Sequence, residues 1–454
     1  MPALEPSGPP FPDAPPPTWP GATWIGSVIV EPDAAATEPA ADTGGETPLP
    51  HGQGYSRARL LVRGATRLYG MATVDVRDGA VRTDELEQAV DAAIAAAPPD
   101  PVSDDVEQAP TPALSVVLCT RDRPEALRVA LGSVLAQEYP EFEVIVVDNA
   151  PATDATARVV AELDHPRVRL ITEPVPGLSV ARNTGVAAAS APWVVFTDDD
   201  VRTDPGWLRA VARGIASGGR RCACVSGFVP TGELRTPAQA WFDSRIGWNR
   251  VFVPRVFRLS EPPADLPLFP FQVGVYGAGA NFAARRDVIA ALRGFDVHLG
   301  AGTDTKGGED IDFFFRVILA GHTLVYEPSA IVWHRHRDTD DALVSQAVGY
   351  GRGFSAWATK TLLSPANLGR GLWAVARRGS LNLKPLADYR DPMSADTPPP
   401  PVGVDVLRVE HRATLSGPPA YLRSRLRPAV RRARSLVDSA RRAADERMCA
   451  LRRR

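Results

Sequence analysis

The chain has 454 residues, 44% of them hydrophobic and 23% charged, with a net charge of −2 at pH 7. That length buries one large core or two moderate ones, and the composition is ordinary for a soluble globular protein. The near-neutral balance excludes an overall electrostatic pull toward nucleic acid.

No apolar run reaches the roughly 18 residues of a membrane-crossing helix. The N-terminus lacks the basic and apolar regions of a signal peptide. Cys119, Cys222, Cys224 and Cys449 have neither a CxxC pair nor a zinc spacing, so reduced intracellular thiols are expected. Residues 1–55, rich in Pro, Ala, Gly and Thr, read as a disordered tail. Residues 56–97 read as a small β-β-α element, with Thr83 as the N-cap of its helix. Residues 98–112 read as a linker.

From Leu114 strands and helices alternate. "LSVVLCT", "FEVIVVDN", "VRLIT" and "WVVFTD" are strands, separated by the helices "PEALRVALGSVLAQ", "ATDATARVVAELD" and "LSVARNTGVAAA". Nearly all-apolar strands in this rhythm predict an α/β fold, a mostly parallel sheet with helices on both faces. Ligands bind beyond the carboxyl ends of such strands. Three strands end there in polar residues: Thr120-Arg121-Asp122, Asp148-Asn149 and Asp198-Asp199-Asp200. The later part is less regular, but "EDIDFFFRVILAG" is an amphipathic helix after a glycine-rich loop, and "TLVYEPSAIVWHRHR" follows it.

Five groups could carry chemistry. Asp198, Asp199 and Asp200 offer hard oxygens for Mg²⁺ or Mn²⁺, which bind through one or two carboxylates and substrate phosphates; the plainer alternative is a solvated turn. Asp148 can accept hydrogen bonds from a base or ribose, or simply end a strand in a turn. Arg182 and Asn183, one turn into a helix, suit an anionic diphosphate, and Arg121 and Arg123 in the first loop have the same electrostatic reading. Glu309 and Asp310 either cap a helix or deliver a general base from a mobile loop. His334 and His336 alternate along a strand, where one can serve as a metal ligand or both can be exposed polar residues.

Taken in order, "LSVVLCTRDRPEALRVALGSVLAQEYPEFEVIVVDNAPATDAT", "GLSVARNTGVAAASAPWVVFTDDD", "GAGANFAARR" and "GGEDIDFFFRVILAGHTLVYEPSAIVWH" resemble family 2 glycosyltransferases of the GT-A fold. The resemblance spans roughly Ala113 to His336 and implies a catalytic domain at 113–340. It implies transfer of a sugar, with inversion, from a nucleotide-sugar donor to a saccharide or lipid-linked saccharide acceptor, with Mn²⁺ or Mg²⁺. Carried over by position, Thr120 and Asp148 would contact the nucleoside and Arg182 would lie near the diphosphate. Asp198 would meet ribose or donor, while Asp198, Asp200 and His334 would hold the metal. Asp310 would be the base, with Glu309 its neighbour, and "GAGAN" would line the acceptor side. The first loop, "CTRDRP", departs from the tyrosine-asparagine pair of many relatives.

The flanks lie outside that core: a helical extension at 341–380, a Pro-rich linker at 381–420 and a basic helical tail at 421–454. The tail holds 12 arginines against Asp438, Asp445 and Glu446. Such a helix can rest on anionic lipid or remain a solvated tail. The resemblance favours peripheral contact with an anionic membrane, and a cytoplasmic location at its inner face. Two other functions fit the α/β plan. A sugar nucleotidylyltransferase would carry a glycine-rich phosphate loop where "CTRDRPEAL" has none. A non-catalytic nucleotide-sugar-binding scaffold would not need Asp200, Asp310 and His334 together.

Overall fold

The computed structural model describes residues 4–30, 45–99, 110–246, 251–380 and 401–426. The N-terminal part contains β1 (Thr23–Ile29), β2 (Glu46–Pro48), β3 (Arg57–Arg63), β4 (Leu68–Asp75), β5 (Ala80–Arg82) and α1 (Thr83–Ala96). The strand-helix alternation is β6 (Leu114–Thr120), α2 (Pro124–Leu135), β7 (Phe142–Asn149), α3 (Ala155–Leu163), β8 (Val168–Glu173), α4 (Leu178–Ala188) and β9 (Trp193–Asp198). After it come β10 (Val201–Thr203), α5 (Trp207–Ser217), β11 (Cys222–Phe228), α6 (Pro237–Arg245), β12 (Arg255–Phe257) and β13 (Asn281–Arg285). The last elements are α7 (Arg286–Ala291), α8 (Glu309–Leu319), β14 (Thr323–His334), α9 (Asp340–Leu362), α10 (Pro365–Ser380) and α11 (Val406–Leu426).

Strands β6 to β14 form one sheet in the order β10-β14-β11-β13-β9-β6-β7-β8, with β12 on β14. The strands β6, β7, β8 and β9 run parallel, as do β11 and β14; β13 is antiparallel to both β9 and β11. This is the expected α/β architecture. Side chains alternate along each strand, so one strand feeds two cores. Val117 and Phe196 face one, with Phe282 and Phe313, while Val116 and Val195 face the other, with Leu127 and Trp207.

Residues 4–30 and 45–55 depart from the expected disordered tail. β1 pairs in parallel with β3 from Thr23↔Arg57 to Ile29↔Arg63, and β3 pairs with β4 as a hairpin. Trp24 and Val28 are fully buried in a core with Leu60, Val62, Leu86 and Val90. "TWIGSVI" is too short, and too closely flanked by prolines, to announce a strand; its ladder comes from residues about 34 positions away. The whole unit packs on the main sheet through Ile25, Leu61, Phe228 and Trp333. Arg63 adds a two-pronged ion pair to Asp204, at 2.5 and 3.1 Å.

Two smaller expectations also change. Arg82, not Thr83, is the cap position of α1, and the Thr83 hydroxyl instead meets that of Thr47 at 2.9 Å. The presumed Pro-rich linker becomes helical at Val406, well before Tyr421, and α11 carries Pro418 and Pro419 within it. Tertiary contact with α9 overrides the local breakers, including Arg352 Nε donating to Ser416 Oγ at 2.8 Å. Residues 100–109 and 381–400, and the basic tail beyond Leu426, lie outside the described residues. Among the described residues no helix is long and apolar enough to cross a membrane. Cys119, Cys222 and Cys224 are buried and free.

Candidate active site

Register assembles the site. At the carboxyl edge of the sheet Thr120 lies opposite Asp148, and Cys119 opposite Asp198. Asp199 and Asp200 continue past the tip of β9. β14 then returns antiparallel to β10, with His334 opposite Val201 and the Arg335 N–H donating to the Asp200 carbonyl at 2.9 Å. β13 pairs with β9 at Asn281↔Thr197, which brings Gly279 to the same place. A Cβ at Gly279 would come within 2.9 Å of Asp310 Oδ2 and 3.1 Å of Arg182 Nη2, so only glycine lets the two charged groups close on the backbone. Gly308, with φ 91°, turns the chain into α8 and sets Glu309 and Asp310 at its first positions.

Arginines and one histidine surround the acidic tip. Asp199 accepts from Thr120 Oγ1 at 2.7 Å and from Arg123 Nη1 at 3.0 Å. Asp200 Oδ2 faces Arg123 at 3.2 Å and Arg337 at 3.4 Å, and its Oδ1 faces His334 Nε2 at 3.3 Å. Burial disfavours the Asp200 anion, but His334, Arg337 and Arg123 outweigh it and hold its carboxyl below the usual range. Asp198 has weaker compensation; burial pushes it up to about 6, helped by Asp200 and opposed by Arg182.

Arg182 is 2% exposed and binds Glu309 Oε1 at 3.0 Å, the Gly279 carbonyl at 2.9 Å and Asp198 Oδ1 at 3.5 Å. Asp310 Oδ2 accepts from the Gly279 N–H at 2.9 Å. One set of contacts therefore runs from Asp310 through Gly279 and Arg182 to the tip of β9. Burial, with Asp310 alongside, pushes Glu309 up to about 7 against the pull of Arg182. Because this value lies above the ordinary 4.5, the stability Glu309 contributes is complete below about pH 4.5 and is lost as the pH rises through about 7. Glu309→Gln is thus expected to flatten the fall of Tm between pH 5 and 8, measured by calorimetry against the unaltered chain. An unchanged profile would reject this assignment.

Several expected roles differ from where the side chains lie. Thr120 spends its hydroxyl on Asp199. Arg182, expected near the diphosphate, is buried and paired with two carboxylates, Asp198 and Glu309. Asn183 faces away and locks the Phe295 backbone in both directions, at 2.9 and 3.0 Å. Arg121 is exposed and, among the described residues, pairs with Asp122 at 3.7 Å. Asp148 stands at the edge as expected: it is 2% exposed, its Oδ1 has no hydrogen-bond partner, and burial raises its pKa. His336 is not an exposed partner of His334, being 3% exposed and pushed down to about 3 by burial and the neighbouring ring.

Among the described residues no cluster of three or more His, Cys, Asp or Glu is arranged to close round a metal. The expected set of Asp198, Asp200 and His334 is divided, since Asp198 turns to Arg182 while Asp200 turns to His334. The donor chemistry of Asp200 and His334 still fits a divalent ion. A carboxylate oxygen and an imidazole nitrogen 3.3 Å apart can be neighbouring ligands, with substrate phosphates completing the shell. The roles of Arg123 and Arg337 at Asp200 were not legible in sequence. "TRDRP" and "HRHR" each offer two arginines with nothing to choose between them.

Residues 115–291 match the family described as Glycosyl transferase family 2. The chain is 29% identical over 247 residues to the pre-mycofactocin glycosyltransferase of Mycobacterium tuberculosis, covering 52% of this chain and 46% of that protein. It is 28% identical over 277 residues to the succinoglycan biosynthesis protein ExoM of Rhizobium meliloti, covering 59% and 81%. The chain thus spans about half the length of the mycobacterial relative. Among solved structures, a mannosyltransferase from Pyrobaculum calidifontis in complex with GDP-Man and Mn²⁺ is 17% identical, covers 75% of this chain and 90% of its own, and has a TM-score of 0.42. The sheet and its covering helices are those of the GT-A fold expected for the family.

Proposed function

We propose that this chain transfers a sugar from a nucleoside diphosphate to an acceptor hydroxyl, with inversion at the anomeric carbon. The observation that carries the reading is the gathering of Asp148, Asp200, His334 and Asp310 at the carboxyl edge of one sheet, in a domain of glycosyl transferase family 2. Asp148, with its unpartnered buried oxygen, takes the nucleoside by accepting a base N–H or ribose O–H. Asp200 and His334 would hold Mn²⁺ or Mg²⁺, which would supply positive charge to offset that growing on the leaving diphosphate.

Asp310 accepts the proton of the incoming hydroxyl, which attacks the face of the sugar opposite the diphosphate. Glu309 is tied to Arg182 and holds the base's surroundings in place, without taking the proton. The relative named for succinoglycan biosynthesis supports a saccharide acceptor in polysaccharide synthesis. Exposed Leu372 and Trp373 on α10, with the arginines of the tail, support peripheral contact with an anionic membrane.

A thermal-shift series tests this reading. At least one nucleoside diphosphate is expected to raise Tm only when Mn²⁺ is present, because a ligand at a hundred times its Kd stabilises by about 2.7 kcal/mol. Asp200→Ala is expected to abolish the shift. A flat response to every nucleoside diphosphate, with and without Mn²⁺, would reject it.

A further inference from the structure

Behind His334 a buried polar chain leads to the N-terminal unit. Arg59 of β3 donates from Nη1 to Asp243 Oδ2 at 2.7 Å. The Thr231 hydroxyl donates to the other oxygen, Asp243 Oδ1. Thr231 Oγ1 is 2.8 Å from His336 Nε2, and His336 Nδ1 is 3.2 Å from His334 Nδ1. Asp243, Thr231 and His336 are each 4% exposed or less.

With both histidines neutral, as they are at alkaline pH, the donors and acceptors can be assigned in only one sequence. An ionised carboxylate accepts only, so Asp243 takes the single hydroxyl proton of Thr231. Toward His336, therefore, Thr231 offers only a lone pair, and His336 must carry its proton on Nε2. Its Nδ1 is then bare. One proton lies between the two Nδ1 atoms, and it belongs to His334. A neutral His334 with a proton on Nδ1 has none on Nε2, the atom 3.3 Å from Asp200 Oδ1. Two lone pairs that close repel unless a proton or a metal cation lies between them, and at alkaline pH the proton is gone.

We propose that Asp243, Thr231 and His336 are positioning residues that fix the tautomer of His334, presenting its bare Nε2 beside Asp200 to a divalent cation. This rests on the reading of Asp200 and His334 as cation ligands. Hydrogen bonds behind a ligating histidine set its ring orientation and basicity, and their loss weakens metal binding about 10–100-fold. Arg59 anchors the relay, and the N-terminal unit thereby forms part of the site's support although it contributes no side chain to the cleft.

The tautomer can be read without donor, acceptor or metal. Long-range proton–nitrogen correlation spectra of the full chain, labelled with ¹⁵N-histidine and recorded at alkaline pH, are expected to show His334 protonated on Nδ1, its signals assigned by their loss in His334→Gln. In Thr231→Val, which keeps the shape but not the hydroxyl, that preference is expected to disappear. Binding of Mn²⁺ alone, followed by the resonance of the free ion, is expected to weaken about tenfold or more, while Thr231→Ser retains both properties. A wild-type His334 protonated on Nε2 would overturn the proposal whether or not the variant folds. So would a Thr231→Val chain with unchanged tautomer and unchanged Mn²⁺ affinity. A relay that behaves as expected in a protein that binds no nucleoside diphosphate would leave this inference standing and reject the proposed function.

Discussion

On the proposed mechanism, Asp310→Asn is expected to lower the rate of donor turnover by about 10²–10⁴-fold, the usual contribution of a positioned general base. Asparagine matches the shape of aspartate and keeps one acceptor oxygen for the Gly279 N–H, which Asp310 Oδ2 now engages at 2.9 Å. The fold is therefore expected to keep its Tm, and KM for the donor to change little, because the role proposed for Asp310 is toward the acceptor hydroxyl. The loss belongs in kcat. Glu309→Gln supplies the contrast. Its partner Arg182 can still donate to an amide oxygen, so its effect on kcat is expected to be far smaller. Steady-state kinetics on both variants decide the matter, and an Asp310→Asn enzyme that turns over at the wild-type rate would remove Asp310 from the mechanism.

Arg182→Met is expected to cost about 3–5 kcal/mol of folding stability, the penalty for leaving buried carboxylates without their partner. The guanidinium is 2% exposed and joins Glu309, Asp198 and the Gly279 carbonyl, with the rings of Phe282 and Phe295 5.6 and 5.7 Å away. Methionine fills much of the space but supplies no charge. Glu309, 6% exposed with Asp310 beside it, would then hold its proton to still higher pH or drag water inward. Urea unfolding should show a lower midpoint at an unchanged slope. The double variant Arg182→Met with Glu309→Gln should recover part of the loss, since the orphaned charge is gone. A single variant within about 1 kcal/mol of wild type would mean that Arg182 is not the keystone of this cluster.

Both results bear on the charge of "TDDD". Three adjacent carboxylates repel one another and demand positive compensation, which a metal ion or a basic side chain can supply. The structure assigns most of it to the protein itself. Arg123 bridges Asp199 and Asp200, Arg337 meets Asp200, and Arg182 meets Asp198. A cation at Asp200 and His334 would add to this set. The electrostatic need was legible in three consecutive letters, whereas the partners come from positions 123, 182 and 337, whose approach depends on how the strands pair.

The sequence by itself determined the alternation of buried strands and amphipathic helices from Leu114, the carboxyl edge where polar residues collect, and the chain order of the acidic and histidine motifs. These are local properties: apolar periodicity and strand-end residues are written in neighbouring positions. Only the tertiary structure decided that residues 4–30 form part of a folded unit, because β1 gains its hydrogen bonds and its buried Trp24 from β3 and α1. It alone decided that Arg182 is buried and paired with Asp198 and Glu309, that Asn183 pins Phe295, and that Arg59 reaches Asp243 across 184 positions. Each of those facts depends on which distant groups share a low-dielectric interior, where an unpaired charge or hydrogen-bond donor is costly, and linear spacing holds no record of that company.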